Sequence, residues 1–322
     1  MQLIRGLINL NHQADFCIAT IGNFDGVHLG HQAIIKKVIQ YAEETGHQSC
    51  VILFEPHPKE VFMRDDCPAR ISNFSEKYRL LKELGVDKLL VLKFNRTLSH
   101  MPAKEFIQNV LIEQLRIKHL VVGDDFQFGY KRQGNFQLLQ ECGQENYTVE
   151  PTTTVMVKKD SGSLFRVSST LVRDELKSHN FSFIEKILSR RYAISGRVGY
   201  GQQLGRQIGF PTANVNLKRR KPPVLGVVLV KGTWQQIDDE GLTKSVSYWG
   251  VANCGSRPTI QGQNYRLEVH LLGVSPNLYG IELKVDFYAF IRDEKKFENV
   301  QDLKQQIEID VKQAKKLITG FK

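Results

Sequence analysis

Cysteine is scarce in this 322-residue chain, and the five present, Cys17, Cys50, Cys67, Cys142 and Cys254, include no Cys-x-x-Cys pair. Thiols scattered in this way argue against a zinc site and a disulfide framework, and they fit a reducing, cytoplasmic compartment. Long apolar runs are missing as well. Nothing approaches the roughly 18 consecutive apolar residues of a membrane span, and the short apolar start is broken by Asn9 and Asn11. The expectation is a soluble, unexported protein without a membrane segment. No Gly-x-x-x-x-Gly-Lys-Ser/Thr occurs, so phosphate chemistry here needs a cradle other than a P-loop. Internal repeats and low-complexity stretches are also lacking.

The length suits two domains, each large enough for its own core. Charge is divided unevenly between them. Residues before 184 carry 22 basic and 21 acidic side chains, whereas those from 184 onward carry 22 and 13, so nearly all of the +10 net charge is C-terminal. A basic half fits a nucleic acid or an anionic nucleotide substrate. Lys218-Arg-Arg-Lys221 is the densest patch, and a solvated basic loop explains it equally well.

Apolar runs at Phe16 to Ile21, Val51 to Phe54, Leu89 to Phe94 and Leu120 to Val122 read as buried strands. Helical patterns such as Gln32 to Glu44 and Ala103 to Gln114 lie between them, which predicts βαβ units and a parallel sheet with ligands at the strand carboxyl ends. From about Tyr192 the texture becomes glycine-bounded and β-branched: Val224 to Val230, Ser245 to Val251, Tyr265 to Leu272 and Ile281 to Ile291. Those runs predict an antiparallel sheet closed as a β-barrel. A terminal helix is expected over Val300 to Thr319, and Asn180 to Arg191 reads as the junction between domains, taken as 1–183 and 184–322.

The first chemical constellation is Gly22-Asn-Phe-Asp-Gly-Val-His-Leu-Gly-His31. A strand runs into a glycine turn and a helix then opens near Leu29, so backbone N–H groups and the positive end of the dipole face the strand terminus and bind anions. His28 and His31 project together there and can stabilise a triphosphate as it breaks, the chemistry of nucleotidyl transfer. A histidine pair decorating a helix start is the blander explanation, and the preceding strand and flanking glycines weigh against it. Ser168, Ser169 and Thr170, followed by Arg173, supply hydroxyls and a guanidinium for phosphate. Gly123-Asp-Asp-Phe-Gln-Phe-Gly129 and Phe54-Glu-Pro-His-Pro58 end neighbouring strands, although Phe126 and Phe128 could equally be core.

The second constellation is Gly199-Tyr-Gly-Gln-Gln-Leu-Gly-Arg-Gln-Ile-Gly-Phe-Pro-Thr-Ala-Asn214. Gly199, Gly201, Gly205 and Gly209 let a loop approach a nucleotide, Arg206 adds charge, and Thr212 and Asn214 beyond Pro211 can share one Mg²⁺ with phosphate oxygens. A glycine-rich hairpin ended by a proline turn is the plain alternative. On Tyr265 to Leu272, Leu267, Val269 and Leu271 take one face and Arg266, Glu268 and His270 the other. If that second face lines the barrel mouth, Glu268 can deprotonate a substrate hydroxyl; if it faces water, Glu268 is a surface carboxylate.

These motifs, with Gly250 to Thr259, Ile291 to Glu294 and Lys296-Phe297, resemble in order those of the bacterial bifunctional riboflavin kinase/FAD synthetase family over essentially the whole chain. The resemblance implies an α/β architecture with a Rossmann-like N-terminal nucleotidylyltransferase domain that adenylylates FMN to FAD, and a C-terminal barrel that phosphorylates riboflavin to FMN. It also implies site residues. Gly22, Asn23, Phe24, Asp25, His28, His31, Ser168, Thr170 and Arg173 would hold the first ATP, and Pro56, His57, Pro58, Asp125, Phe126 and Phe128 would hold FMN. In the barrel, Gly199, Gly205, Arg206, Gly209, Pro211, Thr212 and Asn214 would hold the second ATP, Thr212 and Asn214 also Mg²⁺, with Glu268 as base. Asn253 and Arg292 would line the flavin or nucleotide pocket. Expected partners are riboflavin, FMN and ATP, with no nucleic acid, no membrane and at most weak self-association. The chain departs from the family at Val228, usually aromatic, and at Leu272 to Asn277, which lacks acidic character. Both departures read as changes in loop contacts.

Two other functional classes share part of this pattern. His-x-Gly-His also resembles class I aminoacyl-tRNA synthetases, but no long anticodon-reading helical region or Arg-aromatic array supports RNA binding. A flavin-binding module without catalysis would be favoured by a solvent-facing Glu268.

Overall fold

The apolar run Cys17–Ile21 (β2) is buried along its entire length, as a strand covered on both faces by helices must be. It sits inside a six-stranded parallel sheet with Gln2–Arg5 (β1), Gln48–Glu55 (β3), Lys88–Lys93 (β4), Ile117–Gly123 (β5) and Thr148–Thr152 (β6), in the order β1-β4-β3-β2-β5-β6. The computed structural model describes residues 1–10, 16–63, 66–201, 204–238, 240–259 and 262–321.

The chain winds from β2 to β3 and β4 on one side and then crosses to β5 and β6 on the other, so the winding reverses between β2 and β5. A crevice opens at the carboxyl ends of strands at such a reversal, and the turns after β2 and β5 are the two that border it. Leu29–Thr45 (α1) follows β2, and its C-cap Gly46 adopts a left-handed φ of 69°. Phe74–Glu83 (α2) precedes β4. The expected helix Ala103 to Gln114 is real but irregular, since Phe106–Gln114 is wound as a π-helix. Met156–Lys158 (β7) and Leu164–Arg166 (β8) form a separate antiparallel pair.

Chain contacts divide the molecule into two compact units, Met1–Pro68 with Phe74–Ser169, and Ala69–Asn73 with Thr170–Lys322. Ser169–Lys177 (α3) straddles the division. The second unit holds a closed antiparallel barrel of Ala193–Gly199 (β9), Ala213–Val215 (β10), Gly226–Ile237 (β11), Thr243–Thr259 (β12), Gly262–Leu271 (β13) and Glu282–Arg292 (β14), in the order β10-β13-β12-β11-β14-β9. Alternation along the strands buries Val228, Val230, Ala252, Cys254, Leu267, Val269, Leu283 and Val285.

The segment expected as the junction is instead a helix, Phe181–Leu188 (α4), whose N-cap Asn180 accepts from the Phe183 amide. Phe181, Phe183, Ile184, Ile187 and Leu188 are all buried, and Phe181 packs 6.0 Å from the Phe287 ring of β14. A helix so apolar on its core side is part of the barrel's core, not a tether. Ile187→Ala is therefore expected to destabilise the second unit by about 2–4 kcal/mol. Denaturation followed by tryptophan fluorescence reads this directly, because both tryptophans, Trp234 and Trp249, lie on barrel strands. An unchanged midpoint would mean the helix is not part of the barrel's cooperative unit.

The terminal helix Val300–Ile318 (α5) is capped by Asn299, whose side chain accepts from Asp302 N. Ala314, with Val311, Leu317 and Ile318, packs on Val227, Leu229, Val251 and Ile291. No helix among the described residues is long and apolar enough to cross a membrane. Of the basic patch, Lys218, Arg220 and Lys221 are exposed. Arg219 instead cross-links the second unit, donating to the carbonyls of Arg70 (3.2 Å) and Ile71 (2.8 Å) and to Tyr192 Oη (3.2 Å). The four residues therefore do not form one solvated patch.

Candidate active sites

In the first unit, the turn from β2 to α1 is tightly wound. Phe24 (φ 46°), Gly26 (φ 86°) and Val27 (φ 42°) all lie in the left-handed region, where a β-branched residue such as Val27 is strained. The turn brings His28 to the N-cap of α1, and its Nδ1 accepts from His31 N at 3.3 Å. An accepting Nδ1 places the ring proton on Nε2, so the imidazole is a donor on its outer edge. The two rings stack with centroids 3.6 Å apart and 16° between planes. Gly30 makes room for this, since a Cβ there would come within 3.3 Å of the His28 ring. The helix start thus points its N–H groups and a paired imidazole at one place, a geometry suited to polyphosphate.

Neighbouring groups support the pair. Phe24 is 2% exposed and lies edge-on to His31 with centroids 5.2 Å apart, so its role is to pack beneath the imidazole. Asp25 is buried, and its carbonyl accepts from Ser169 Oγ at 2.9 Å. Gly22 N bonds to Ile52 O, tying the turn to β3. Asn23 Oδ1 is a buried acceptor without a hydrogen-bond partner among the described residues, and such a group calls for a ligand donor. One participant carries no sequence signal: Lys77 of α2, 1% exposed, donates to Asn23 O at 3.2 Å and lies 3.8 Å from Glu55. A buried ammonium needs such partners, but they are far away in sequence.

The proposed flavin side is mixed. His57 is buried, and its Nδ1 accepts from Lys59 N at 3.1 Å, fixing the loop after β3 that carries Pro56 and Pro58. Phe126 and Phe128 stack 5.5 Å apart. Phe128 belongs to the sheet's core, with Phe126 packed partly against it, so the core explanation holds for Phe128. Asp125 is exposed and lies 3.3 Å from Arg166. Ser168 precedes α3, which carries Thr170 and Arg173; Arg173 Nε donates to Ala69 O at 2.7 Å, a structural task for that guanidinium.

In the second unit, strand register does what periodicity could not. Directly paired residues are Gly199 with Asn214, Asn214 with Glu268, Glu268 with Asn253, Asn253 with Val227, and Val227 with Arg292. Cross-strand partners share a face, so one belt around the barrel carries Asn214, Glu268, Asn253 and Arg292 side by side. All four line a cavity of about 220 Å³ with Thr212 and Gly205.

The cavity is not in the barrel mouth. Leu303, Ile307 and Asp310 of α5 form part of its wall, and a six-stranded barrel is too narrow to enclose a helix. It therefore lies on the outer face of the strands beneath the terminal helix. Its apolar lining includes Phe210, Val227, Val251 and Phe297. Val228, next to the lining residue Val227, is fully buried on the opposite face, so that departure from the family is a core substitution and not a loop contact.

Asn253 Oδ1 is buried in the cavity wall without a hydrogen-bond partner among the described residues. His270 Nδ1 donates to Pro211 O at 2.9 Å and anchors the strand end that presents Thr212. Gly201 lets its loop fold onto Asn214, whose amide would collide with any Cβ there. Thr212 and Asn214 offer neutral oxygen donors beside the cavity, the hard ligands Mg²⁺ takes together with phosphates. Gly199, Arg206, Gly209 and Pro211 are outside the cavity lining, and Arg206 and Gly209 are exposed.

Comparison with known proteins agrees with this two-site layout. Residues 10–170 match the FAD synthetase family and residues 188–318 match the riboflavin kinase family. A protein of Pseudomonas fluorescens named bifunctional riboflavin kinase/FMN adenylyltransferase is 44% identical over 98% of both chains. A protein of the same name from Haemophilus influenzae is 43% identical over 98% of both. A solved structure titled macrolide-efflux protein from Streptococcus pneumoniae has the same fold, with a TM-score of 0.76 at 26% identity over 98% of this chain and 99% of that one. The chain belongs to the family of bifunctional riboflavin kinase/FMN adenylyltransferases.

Proposed function

We propose that the two activities of this family divide between the two sites, the parallel-sheet unit adenylylating FMN and the barrel unit phosphorylating riboflavin. The observation that carries the reading is the belt of Asn214, Glu268, Asn253 and Arg292 on one cavity wall. It sets a carboxylate between oxygen donors for a metal–phosphate complex and an apolar wall of Val227, Val251 and Phe297.

In the barrel, Glu268 accepts the proton of the terminal ribityl hydroxyl as its oxygen attacks the γ-phosphorus of ATP and ADP leaves. Thr212 and Asn214 would hold Mg²⁺, which neutralises charge on the phosphates when bound. Val227, Val251 and Phe297 enclose the isoalloxazine. Gly205 lets the loop before Thr212 approach the nucleotide, with Gly199, Arg206, Gly209 and Pro211 shaping it.

In the first unit, an oxygen of the FMN phosphate attacks the α-phosphorus of the other ATP, and pyrophosphate leaves. His28 Nε2–H and the first N–H groups of α1 donate to the phosphate oxygens as charge builds, with His31 stacked behind. Asn23 and Asp25 shape the nucleotide pocket with Gly22 and Phe24, Ser168 serves the phosphates, and Pro56, His57, Pro58, Asp125 and Phe126 serve the flavin. Riboflavin, ATP and Mg²⁺ given to the purified chain are expected to yield FMN first and FAD later on chromatography, and chelation of the metal to stop the sequence. Absence of FMN under all conditions would overturn the kinase assignment. FMN accumulation without FAD would overturn the adenylyltransferase assignment.

A further inference from the structure

Arg292 is not a free cation in the cavity wall. Its Nε donates to Asp310 Oδ1 at 2.8 Å and its Nη2 to Asp310 Oδ2 at 2.8 Å, a two-pronged pair. Its Nη1 donates to Asp293 O at 2.8 Å. The carboxylate is 2% exposed and is held from its other side by Gln306 Nε2 at 2.9 Å. Phe297 lies under the guanidinium, 5.8 Å from ring centroid to Cζ. Asp310, Gln306 and the apolar wall residues Leu303 and Ile307 all belong to α5.

Two consequences follow from these contacts. First, three of the five guanidinium N–H groups are taken, which leaves two without a protein acceptor among the described residues. Second, a carboxylate in bidentate contact cancels the positive charge locally. A neutralised guanidinium has little attraction for a polyphosphate, whereas its remaining N–H groups still donate well to a neutral carbonyl. The surroundings point the same way: besides the charged Glu294 and Lys295, the cavity wall near Arg292 is Val227, Phe297 and Ile307, suited to a flat aromatic body, while the phosphate-type donors are Asn214 on β10 and Thr212 just before it.

We propose that Asp310, carried by the terminal helix, is a positioning residue that holds Arg292 neutralised and oriented so that its remaining donors recognise a carbonyl of the riboflavin ring and not the nucleotide. The inference rests on the kinase reading of the cavity and resolves which substrate Arg292 serves. It makes the terminal helix a determinant of flavin recognition as well as a cover for the sheet.

The test is steady-state kinetics of the full chain. Asp310→Asn keeps the shape but puts an amide NH₂ against the guanidinium and leaves its charge uncompensated. The expected result is a rise of about tenfold in KM for riboflavin, with KM for ATP unchanged within about twofold and conversion of supplied FMN to FAD unchanged. Arg292→Lys, which keeps the charge beside Asp310 but loses the fork, should give a similar rise. It also serves where the Asn variant folds too poorly to assay. If Asp310 acts through Arg292, the double variant should be no worse than Arg292→Lys alone, a non-additivity that a merely structural contribution would not produce.

A rise confined to KM for ATP, fully additive effects, or no change in either variant would overturn the proposal. These results are separable from failure of the kinase reading, which would appear already as absence of FMN formation by the unsubstituted chain.

Discussion

Glu268→Gln is expected to lower riboflavin phosphorylation by about 10²–10⁴-fold while leaving conversion of supplied FMN to FAD intact. The magnitude follows from the position of the carboxylate. Register pairs Glu268 with Asn214 on one side and Asn253 on the other, so its side chain shares the cavity with the oxygen donors expected to carry the phosphates. A carboxylate there sits beside the oxygen donors where hydroxyl and phosphate must meet. The amide is isosteric and keeps the packing of the half-buried strand, so the loss would be in the chemical step and appear in kcat more than in either KM. Separate assays of the two half-reactions check it. A variant that keeps wild-type kcat for riboflavin would remove Glu268 from the mechanism, and one that loses both half-reactions while folded would mean that the sites are not independent.

What could be read in the sequence, and what could not, follows physical lines. Strands buried on both faces announce themselves as unbroken apolar runs, and β2 to β5 lie close to where those runs predict. Edge strands do not. Gln2–Arg5 is four residues with one buried, and Thr148–Thr152 contains Pro151, tolerated at a sheet edge but read as a break in sequence. The helix Phe181–Leu188 was hidden because its run of apolar residues is as short as a linker's. Ala193–Gly199 and Ala213–Val215 were hidden because glycines and short length conceal strands whose partners lie far along the chain.

The sites divide in the same way. Local spacing was enough to bring His28 over His31, because an N-cap and the residue three later are held by a single helical turn. Spacing could not orient Glu268, which depends on pairing with β10 and β12, nor could it find Lys77 or Asp310, which reach their partners only through the tertiary fold. The glycine loop of the barrel was legible as a phosphate-approaching device, yet Arg206 and Gly209 lie outside the cavity, because a loop motif defines a path for the backbone and not which of its side chains turn inward.

His28→Ala is expected to lower FMN adenylylation by about 10²–10³-fold, the scale for removing one preorganised donor from a developing charge, and to leave riboflavin phosphorylation at its original rate. The product mixture should then stop at FMN. Part of any effect of this substitution is structural, because His28 is also the N-cap of α1 and its Nδ1 accepts from His31 N. Losing a cap costs about 1 kcal/mol. His28→Asn separates the two contributions. Asparagine is among the best N-cap residues and restores the acceptor for the helix amide, but its short side chain can neither stack on His31 nor place a donor where Nε2 stands. The Asn variant should therefore recover the thermal stability lost in the Ala variant and recover little of the activity. Recovery of both would make His28 a capping residue whose ring has no catalytic part. Loss of activity with stability intact would locate the rate enhancement in the paired imidazoles, held 3.6 Å apart over the start of α1.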